Sequence, residues 1–210
     1  LTVHGTGSKV FQSFFDGHEE IMMIPGYQLL YFYPHWIEWE KKEKNKSWES
    51  LCDALFENHP SIFDSRILPG SETLDKLGAR QDEWIEIDKI IFKEKLIDCL
   101  KNRKINSKNF LEGIHYAYYL CRGEDISKKK VILYHVHYGP YVTKFLLKDF
   151  PDLKVITLIR DLRSCLYKSI ESAYLKSDRR KLDETDFILL RKRTYKNTYK
   201  HYSEQLDCLL

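Results

Sequence analysis

The sequence predicts an α/β fold in which helices flank a parallel sheet. Three short apolar runs, Leu1–Val3, Val131–Tyr134 and Lys154–Ile159, have the length of buried strands, and a helix-period pattern follows each of them. A fourth run, Ile21–Ile24, fits either another parallel strand or an extended segment. A succession of strand, helix, strand and helix favours parallel pairing with right-handed crossovers, and ligands of such sheets bind beyond the carboxyl ends of the strands.

Length and composition bound the class of protein. The 210 residues fit one domain, residues 1–210, and 43% hydrophobic with 31% charged residues is typical of globular proteins. A net charge of +3 does not favour nucleic-acid binding, and no apolar run reaches the roughly 18 residues of a membrane span. Because the chain lacks an initiating Met and stops at an apolar Cys208–Leu210, we expect it to be incomplete at both ends.

The five cysteines are widely separated and form no C-x-x-C pair. The spacing therefore predicts neither a zinc site nor a disulfide framework. Scattered free thiols fit a reducing, cytoplasmic compartment.

Capping residues and apolar spacing predict the helices. Ser47 is expected to cap a helix over Trp48–Glu57, Asp88 a helix to about Asn102, and Ser107 the next one. Further helices are predicted over Tyr141–Asp149, Leu162–Leu175 and Asp183–Leu210. The expected apolar face of the helix after Asp88 consists of Ile90, Ile91, Phe92, Leu96, Ile97 and Leu100. That of the helix after Ser107 carries Phe110, Leu111, Ile114, Tyr118 and Tyr119, and that of the helix at Tyr141 carries Val142, Phe145 and Leu146.

Three connecting segments carry distinct signals. Gly26–Trp39 is dense in aromatic residues, which favours core or lid packing and leaves a substrate cleft as the alternative. Pro60–Asp82 is predicted to be an irregular surface loop, and Lys128–Lys130 a solvent-facing connection.

The opening of the chain holds the strongest local signal. Leu1–Val3 leads through the glycine-bearing turn Gly5–Lys9 into a predicted helix. Unpaired N–H groups and the partial positive charge of a helix start favour phosphate or sulfate, and Lys9 adds a full charge. An ordinary strand-to-helix turn that needs two glycines is the alternative. The expected apolar face of this helix consists of Val10, Phe11, Phe14 and Phe15.

Other polar residues follow the remaining predicted strands. His135 and His137 come directly after one strand and Arg160 after the next. Both are candidates for the base that takes the proton of an acceptor, and we expect at most one of the two to serve. Arg160 can bond two phosphate oxygens at once, with Ser164 or Ser169 beside it, and an ion pair with Asp161 or Glu171 is the alternative.

Two stretches resemble the signatures of the PAPS-dependent sulfotransferases. His4–His18 reads H-G-T-G-S-K-V-F-Q-S-F-F-D-G-H, where the family has a loop close to R-S-G-T-T and a helix that ends L-D-x-H-P. Phe150–Arg163 reads F-P-D-L-K-V-I-T-L-I-R-D-L-R, where the family has F-P-D-A-K-x-I-x-L-x-R-D-P-R. Together the two stretches cover about a fifth of the chain.

The resemblance implies a P-loop-type nucleotide-binding fold and a transferase activity. The donor would be 3′-phosphoadenosine-5′-phosphosulfate (PAPS), the product adenosine 3′,5′-bisphosphate (PAP), and the acceptor a hydroxyl or amine of a small molecule or glycan. No metal is implied.

The resemblance also assigns roles to residues. The 5′-phosphosulfate falls to Gly5, Thr6, Gly7, Ser8 and Lys9, and the 3′-phosphate to Arg160 with a serine of the following helix. Lys168 stands where the family usually has that serine, and Ser169 is one residue later. Gly5 stands where the family has a basic residue, and Leu162 replaces its proline. Lys9 would stabilise charge on the leaving phosphate oxygen, and His137 or His135 would serve as the base.

Two other functions stay open. A P-loop nucleotide kinase would need ATP and magnesium, but Val10 follows Lys9 where a kinase has a serine or threonine. A non-catalytic relative would keep the fold and bind a partner through the aromatic segment Tyr27–Trp39.

Overall fold

A computed structural model describes most of the chain. It covers residues 7–26, 28–67, 74, 76–136 and 139–158, with the backbone alone at 139–141. After these it covers residues 160, 161, 163–165, 167, 188, 189, 191–193, 195–197, 199, 200 and 203.

The chain divides into two compact units. The central unit spans Phe15–His135, and the terminal unit combines Leu1–Phe14 with Val136–Leu210. This division does not test the prediction that residues 1–210 form one domain, which stays a prediction.

A two-stranded parallel sheet lies in the central unit. Strand β1, Ile21–Met22, pairs with β2, Val131–Ile132, with Ile21 opposite Val131. The N–H of Leu133 extends the ladder by donating to the carbonyl of Met22 at 2.8 Å. Parallel pairing at both predicted runs is therefore confirmed, but Val131 is 51% exposed and β2 is not a buried strand.

Four α-helices and two 3₁₀ turns lie in the described part of the central unit. They are α2 (Phe32–Lys42), α3 (Trp48–Asn58), α4 (Lys89–Leu100) and α5 (Ser107–Cys121), with 3₁₀ turns at Pro60–Ile62 and Ser65–Ile67.

Side-chain caps fix where three of these helices begin. Ser47 and Ser50 form a reciprocal capping box at α3, and Asp88 accepts from the first N–H groups of α4, as predicted. The cap of α5 is Asn106, whose side chain accepts from the N–H of Asn109 at 2.8 Å, so the prediction of Ser107 was wrong by one residue. Asparagine caps a helix as well as serine does, and the residue nearer the bend takes the role.

The core of the central unit is built from the inner faces of these helices. Phe92, Leu96 and Leu100 of α4 are fully buried, whereas Ile90 and Ile91, which the sequence placed on the same face, are 72% and 47% exposed. The helix α4 packs on α5, where Gly113 lies against Leu100. Phe110, Leu111, Ile114 and Tyr118 supply the buried face of α5, as expected.

The terminal unit contains α1, Ser8–Ser13, and α6, Gly139–Asp149. The α1 prediction was wrong about its buried face, because Val10 is 63% and Phe14 77% exposed. The buried residues are Ser8 and Gln12, one turn apart. The helix ends at Ser13, so six residues carry too little periodicity to identify a face. Helix α6 buries Val142 and Leu146, as predicted.

The segment expected to be the best-defined strand departs from prediction. Leu153–Thr157 forms no regular strand, and Val155 and Ile156 are 42% and 51% exposed. A run rich in β-branched residues favours extended backbone, but a strand also needs a neighbour for its ladder. Leu158 takes part in a single β-bridge, but no regular ladder joins this segment to another strand among the described residues.

The coarse α/β character is therefore confirmed as a mainly helical chain with one small parallel sheet. The larger parallel sheet and the P-loop arrangement stay predictions. Leu1–Val3 lies outside the described residues, as do most of Leu162–Leu175 and of Asp183–Leu210, whose described positions beyond 187 are helical.

Candidate functional site

The turn before α1 has the backbone that an anion loop needs. Gly7 has φ +89°, in the left-handed region where glycine is favoured, and its carbonyl accepts from the N–H of Phe11 at 3.0 Å. No side chain caps the start of α1, and Lys9 is exposed beside it. Ser8 is buried, so its hydroxyl does not line an open surface. Gly5 and Thr6 lie outside the described residues.

Arg160 precedes a helical turn that is organised by Asp161. The Asp161 carboxylate accepts from the N–H and the hydroxyl of Ser164, each at 3.1 Å. Arg163 donates to the same carboxylate and is the main cause that holds the pKa of Asp161 below its usual range. The Asp161 carboxylate is therefore bonded to Arg163, and the Ser164 hydroxyl is bonded to Asp161. Because Ser164 is engaged in this way, a hydroxyl other than that of Ser164 is favoured as the phosphate ligand beside Arg160.

The guanidinium of Arg160 is exposed and lies close enough to Cys165 to act on its charge. Burial raises the pKa of the Cys165 thiol, and the positive charge of Arg160 opposes that shift. Lys168 and Ser169, the other predicted partners of the 3′-phosphate, lie outside the described residues.

The two expected anion-binding stretches belong to the same unit. Gly7–Lys9 and Arg160 are both part of the terminal unit, although the whole central unit separates them along the chain. The unit boundary falls directly after His135, the last residue of the central unit.

His135 is the one predicted base whose position is described. It is half-buried, and its Nδ1 lies 3.3 Å from the carbonyl of Gly26. Since a carbonyl only accepts, Nδ1 carries the proton and the neutral ring holds its lone pair on Nε2. His137 lies outside the described residues.

The aromatic segment is core rather than surface. Phe32, Tyr33, Trp36 and Trp39 of α2 are all buried, and Trp36 and Trp39 contact each other at 5.3 Å between ring centroids. Core packing, the favoured prediction, is thus confirmed for these four residues, and burial disfavours both a substrate cleft and a partner surface made from them.

Two features escaped the sequence analysis. A hydrogen-bonded pair of histidines, His35 and His59, lies beside the buried tryptophans. The two histidines are far apart along the chain and lie in different segments, so they form no recognisable sequence motif.

The second feature is Lys129, which was expected to face solvent. Its side chain is 5% exposed, and Nζ donates to the carbonyls of His18 and Ile21 at 3.1 and 3.3 Å. Nζ also lies 3.5 Å from the Glu124 carboxylate and 4.6 Å from the centroid of the Tyr119 ring. The prediction was wrong because a run of three lysines does not reveal which one turns inward.

Among the described residues, no group of three or more histidine, cysteine or acidic side chains could hold a metal ion. The helices described here include none long and apolar enough to cross a membrane. Four described cysteines, Cys52, Cys99, Cys121 and Cys165, are free thiols.

Comparisons with models of protein families, with curated proteins and with solved structures found no match to this chain.

Proposed function

We propose that the protein is a sulfotransferase that moves a sulfuryl group from PAPS to a hydroxyl or amine acceptor. The observation that carries the proposal is that the two signature-like stretches, Gly7–Lys9 and Arg160–Asp161, belong to one compact unit despite their distance in sequence. A nucleotide with phosphates at both ends of its ribose needs two cationic contacts, and Lys9 and Arg160 are exposed cations suited to supply them.

The local backbone supports the first of these contacts. The left-handed Gly7 lets the chain approach a ligand closely, and the start of α1 lacks a side-chain cap. In the proposed site these N–H groups and Lys9 receive the 5′-phosphosulfate. The resemblance also assigns Thr6 and Gly5 to this contact.

The reaction balances without an oxidant or a metal. The acceptor oxygen or nitrogen attacks sulfur, the bond between sulfur and the bridging phosphate oxygen breaks, and PAP leaves with the electron pair. Lys9 stabilises the negative charge that develops on the leaving oxygen. The acceptor proton passes to a base, for which His137, in the sequence range of the same unit, is the proposed residue. The acceptor is a small molecule or a glycan, and the scattered free cysteines favour a cytoplasmic enzyme.

Calorimetry with PAP tests the proposal directly. We expect PAP to bind without magnesium, and Lys9→Ala and Arg160→Ala each to weaken binding by at least about tenfold, because each removes a charged partner of a phosphate. Lys148→Ala, which removes an exposed lysine from α6 of the same unit, is the matched control and should leave binding unchanged.

Other outcomes identify the alternatives. A folded chain that does not bind PAP contradicts the proposal. Binding of ATP that requires magnesium, with phosphoryl transfer, would identify a kinase instead. Binding of PAP without release of PAP from PAPS in the presence of alcohols, phenols and amines would identify a non-catalytic relative.

A further inference from the structure

The histidine pair of the central unit has a defined arrangement of protons. Nδ1 of His59 lies 2.8 Å from the carbonyl of Gln28, so Nδ1 must carry a proton and donate it. In the neutral ring Nε2 is then an acceptor. Nδ1 of His35 lies 2.9 Å from that Nε2 and must be the donor of the second bond. The chain of bonds therefore runs from His35 through His59 to Gln28.

These two bonds connect separate segments. His35 lies on α2, His59 follows the last residue of α3, and Gln28 belongs to the turn before α2. The rings also contact edge to face, with 4.8 Å between centroids. His59 is 5% exposed and His35 is half-buried.

The surroundings offer little compensation for added positive charge. The rings line a cavity of about 20 Å³, enough for no more than one water molecule. Its other walls come from α2, α3 and α5 and are uncharged: Phe32, Trp36, Trp39, Leu51, Ala54, Leu55, Asn58 and Phe110. The ring centroids of Tyr31 and His35 are 6.1 Å apart. The negative charge of Glu38 on α2 favours the protonated form of His35.

Protonation of the pair must proceed in two unequal steps. A first proton can enter at Nε2 of His35 without disturbing either bond, because Nδ1 still donates to His59. A second proton needs Nε2 of His59, which is already occupied by the His35 N–H. The second step therefore breaks the bond between the rings and places two positive charges beside each other among aromatic side chains.

We propose that the His35–His59 pair is a proton-operated latch, which ties α2 to the end of α3 when neutral and opens on acidification. Burial acts in the direction that the latch requires. It is the largest cause that lowers the pKa of His59, to about 4, and of His35, where Glu38 partly opposes it. In the closed latch both histidines therefore take up protons only at a lower pH than an exposed histidine, whose pKa is near 6.5.

Amide hydrogen exchange measures the opening directly. The N–H of His59, which bonds to the carbonyl of Leu55 at 2.9 Å, reports on the latch, with rates corrected for the intrinsic pH dependence of exchange. Each proton taken up on opening raises the opening constant by up to ~10-fold per pH unit below about 6.5. In His59→Gln the side chain stays neutral while its amide can accept from His35. We expect the slope of the logarithm of the opening constant against pH to decrease by one in this variant.

A matched control separates the latch from other buried histidines. His115 of α5 is 1% exposed and donates from Nδ1 to the carbonyl of Leu111 at 2.8 Å, and His115→Asn keeps a donor near that position. We expect this variant to keep the slope of the unmodified protein. Equal slopes in the unmodified protein and His59→Gln, or a decrease of one in His115→Asn, would overturn the proposal.

A second measurement does not depend on a variant that folds. Imidazole ¹⁵N NMR of the unmodified chain at pH 7 should show both His35 and His59 with the proton on Nδ1. A proton on Nε2 of either ring would contradict the latch, because the bond between the rings could not then form as described.

Discussion

At the scale of single residues, Lys129 shows how an inward-facing charge can organise a strand. Its ammonium group bonds to the carbonyls of His18 and Ile21, at the start of β1, and Glu124 balances its charge. The neighbouring Tyr119 hydroxyl accepts from the N–H of Met23, directly after β1, at 2.9 Å. Lys129 is therefore a structural residue of the parallel sheet, and its removal should loosen β1.

Lys129→Met tests this role. Methionine fills most of the same volume but cannot donate, so two carbonyls and the Glu124 carboxylate lose a charged partner. We expect the free energy of unfolding to fall by about 2 kcal/mol, the range of hydrogen bonds to charged groups. Urea denaturation measures the change. Lys128→Met, at the exposed neighbouring position, is the control and should change stability by less than about 0.5 kcal/mol. Equal effects of the two substitutions would contradict the role.

At the scale of elements, the contact between α4 and α5 depends on the absence of a side chain. A Cβ on Gly113 would lie 2.7 Å from the Leu100 side chain, which is fully buried and has no room to move away. Gly113→Ala should therefore cost about 1–3 kcal/mol through overpacking, more than the ~1 kcal/mol that alanine gains in helix propensity. Urea denaturation should show a lower midpoint. In the Leu100→Ala background, Gly113→Ala should cost less than in the unmodified chain if the clash is the cause. A stabilised Gly113→Ala would show that the helices can separate.

The elements also show how far local sequence determines structure. Ser47 and Asp88 were predicted as caps because a cap needs only its own side chain and the next three N–H groups. In the strand predicted at Lys154–Ile159, residues 154–157 form no regular strand and only Leu158 takes part in a bridge, because a strand depends on a distant neighbour. The exposure of Ile90 likewise depends on what packs against α4, which helical spacing cannot specify.

In the candidate site, too, some features set by neighbouring residues were predictable and features set by distant contacts were not. The left-handed turn at Gly7 was predictable, because a glycine before a helix start is a local signal. The pairing of Asp161 with Arg163 rather than with the adjacent Arg160 was not, because both cations lie within two residues of the carboxylate and only the local backbone selects one. The His35–His59 bond joins segments that only the fold brings together, so neither residue carried a signal.

At the scale of the whole molecule, buried histidines make stability depend on pH. His59 and His115 both belong to the central unit, and burial lowers the pKa of each to about 4. Unfolded histidine titrates near 6.5, so between pH 6.5 and 4 the unfolded chain binds more protons than the folded chain. Their contribution to stability is complete above pH 6.5 and is lost as the pH falls. Carboxylates whose pKa is lowered by a basic partner, such as Asp64 and Asp98, act in the same direction only below about pH 4.5.

Preferential protonation of each of these two histidines in the unfolded chain should therefore lower the free energy of unfolding by about 3 kcal/mol between pH 6.5 and pH 4. This is a large share of the roughly 5–15 kcal/mol typical of a folded domain. We expect the free energy of unfolding, obtained from urea titrations followed by the helical circular dichroism signal, to decrease from pH 7 to pH 5. The decrease should reach up to ~3 kcal/mol per pH unit for the pair once the pH is below 6.5. The double variant His59→Gln, His115→Asn removes both titrations and should lose most of this dependence, although its stability at pH 7 will be lower. An unchanged pH dependence in the double variant would mean that other groups control acid unfolding, and that these two side chains accept protons without opening the core.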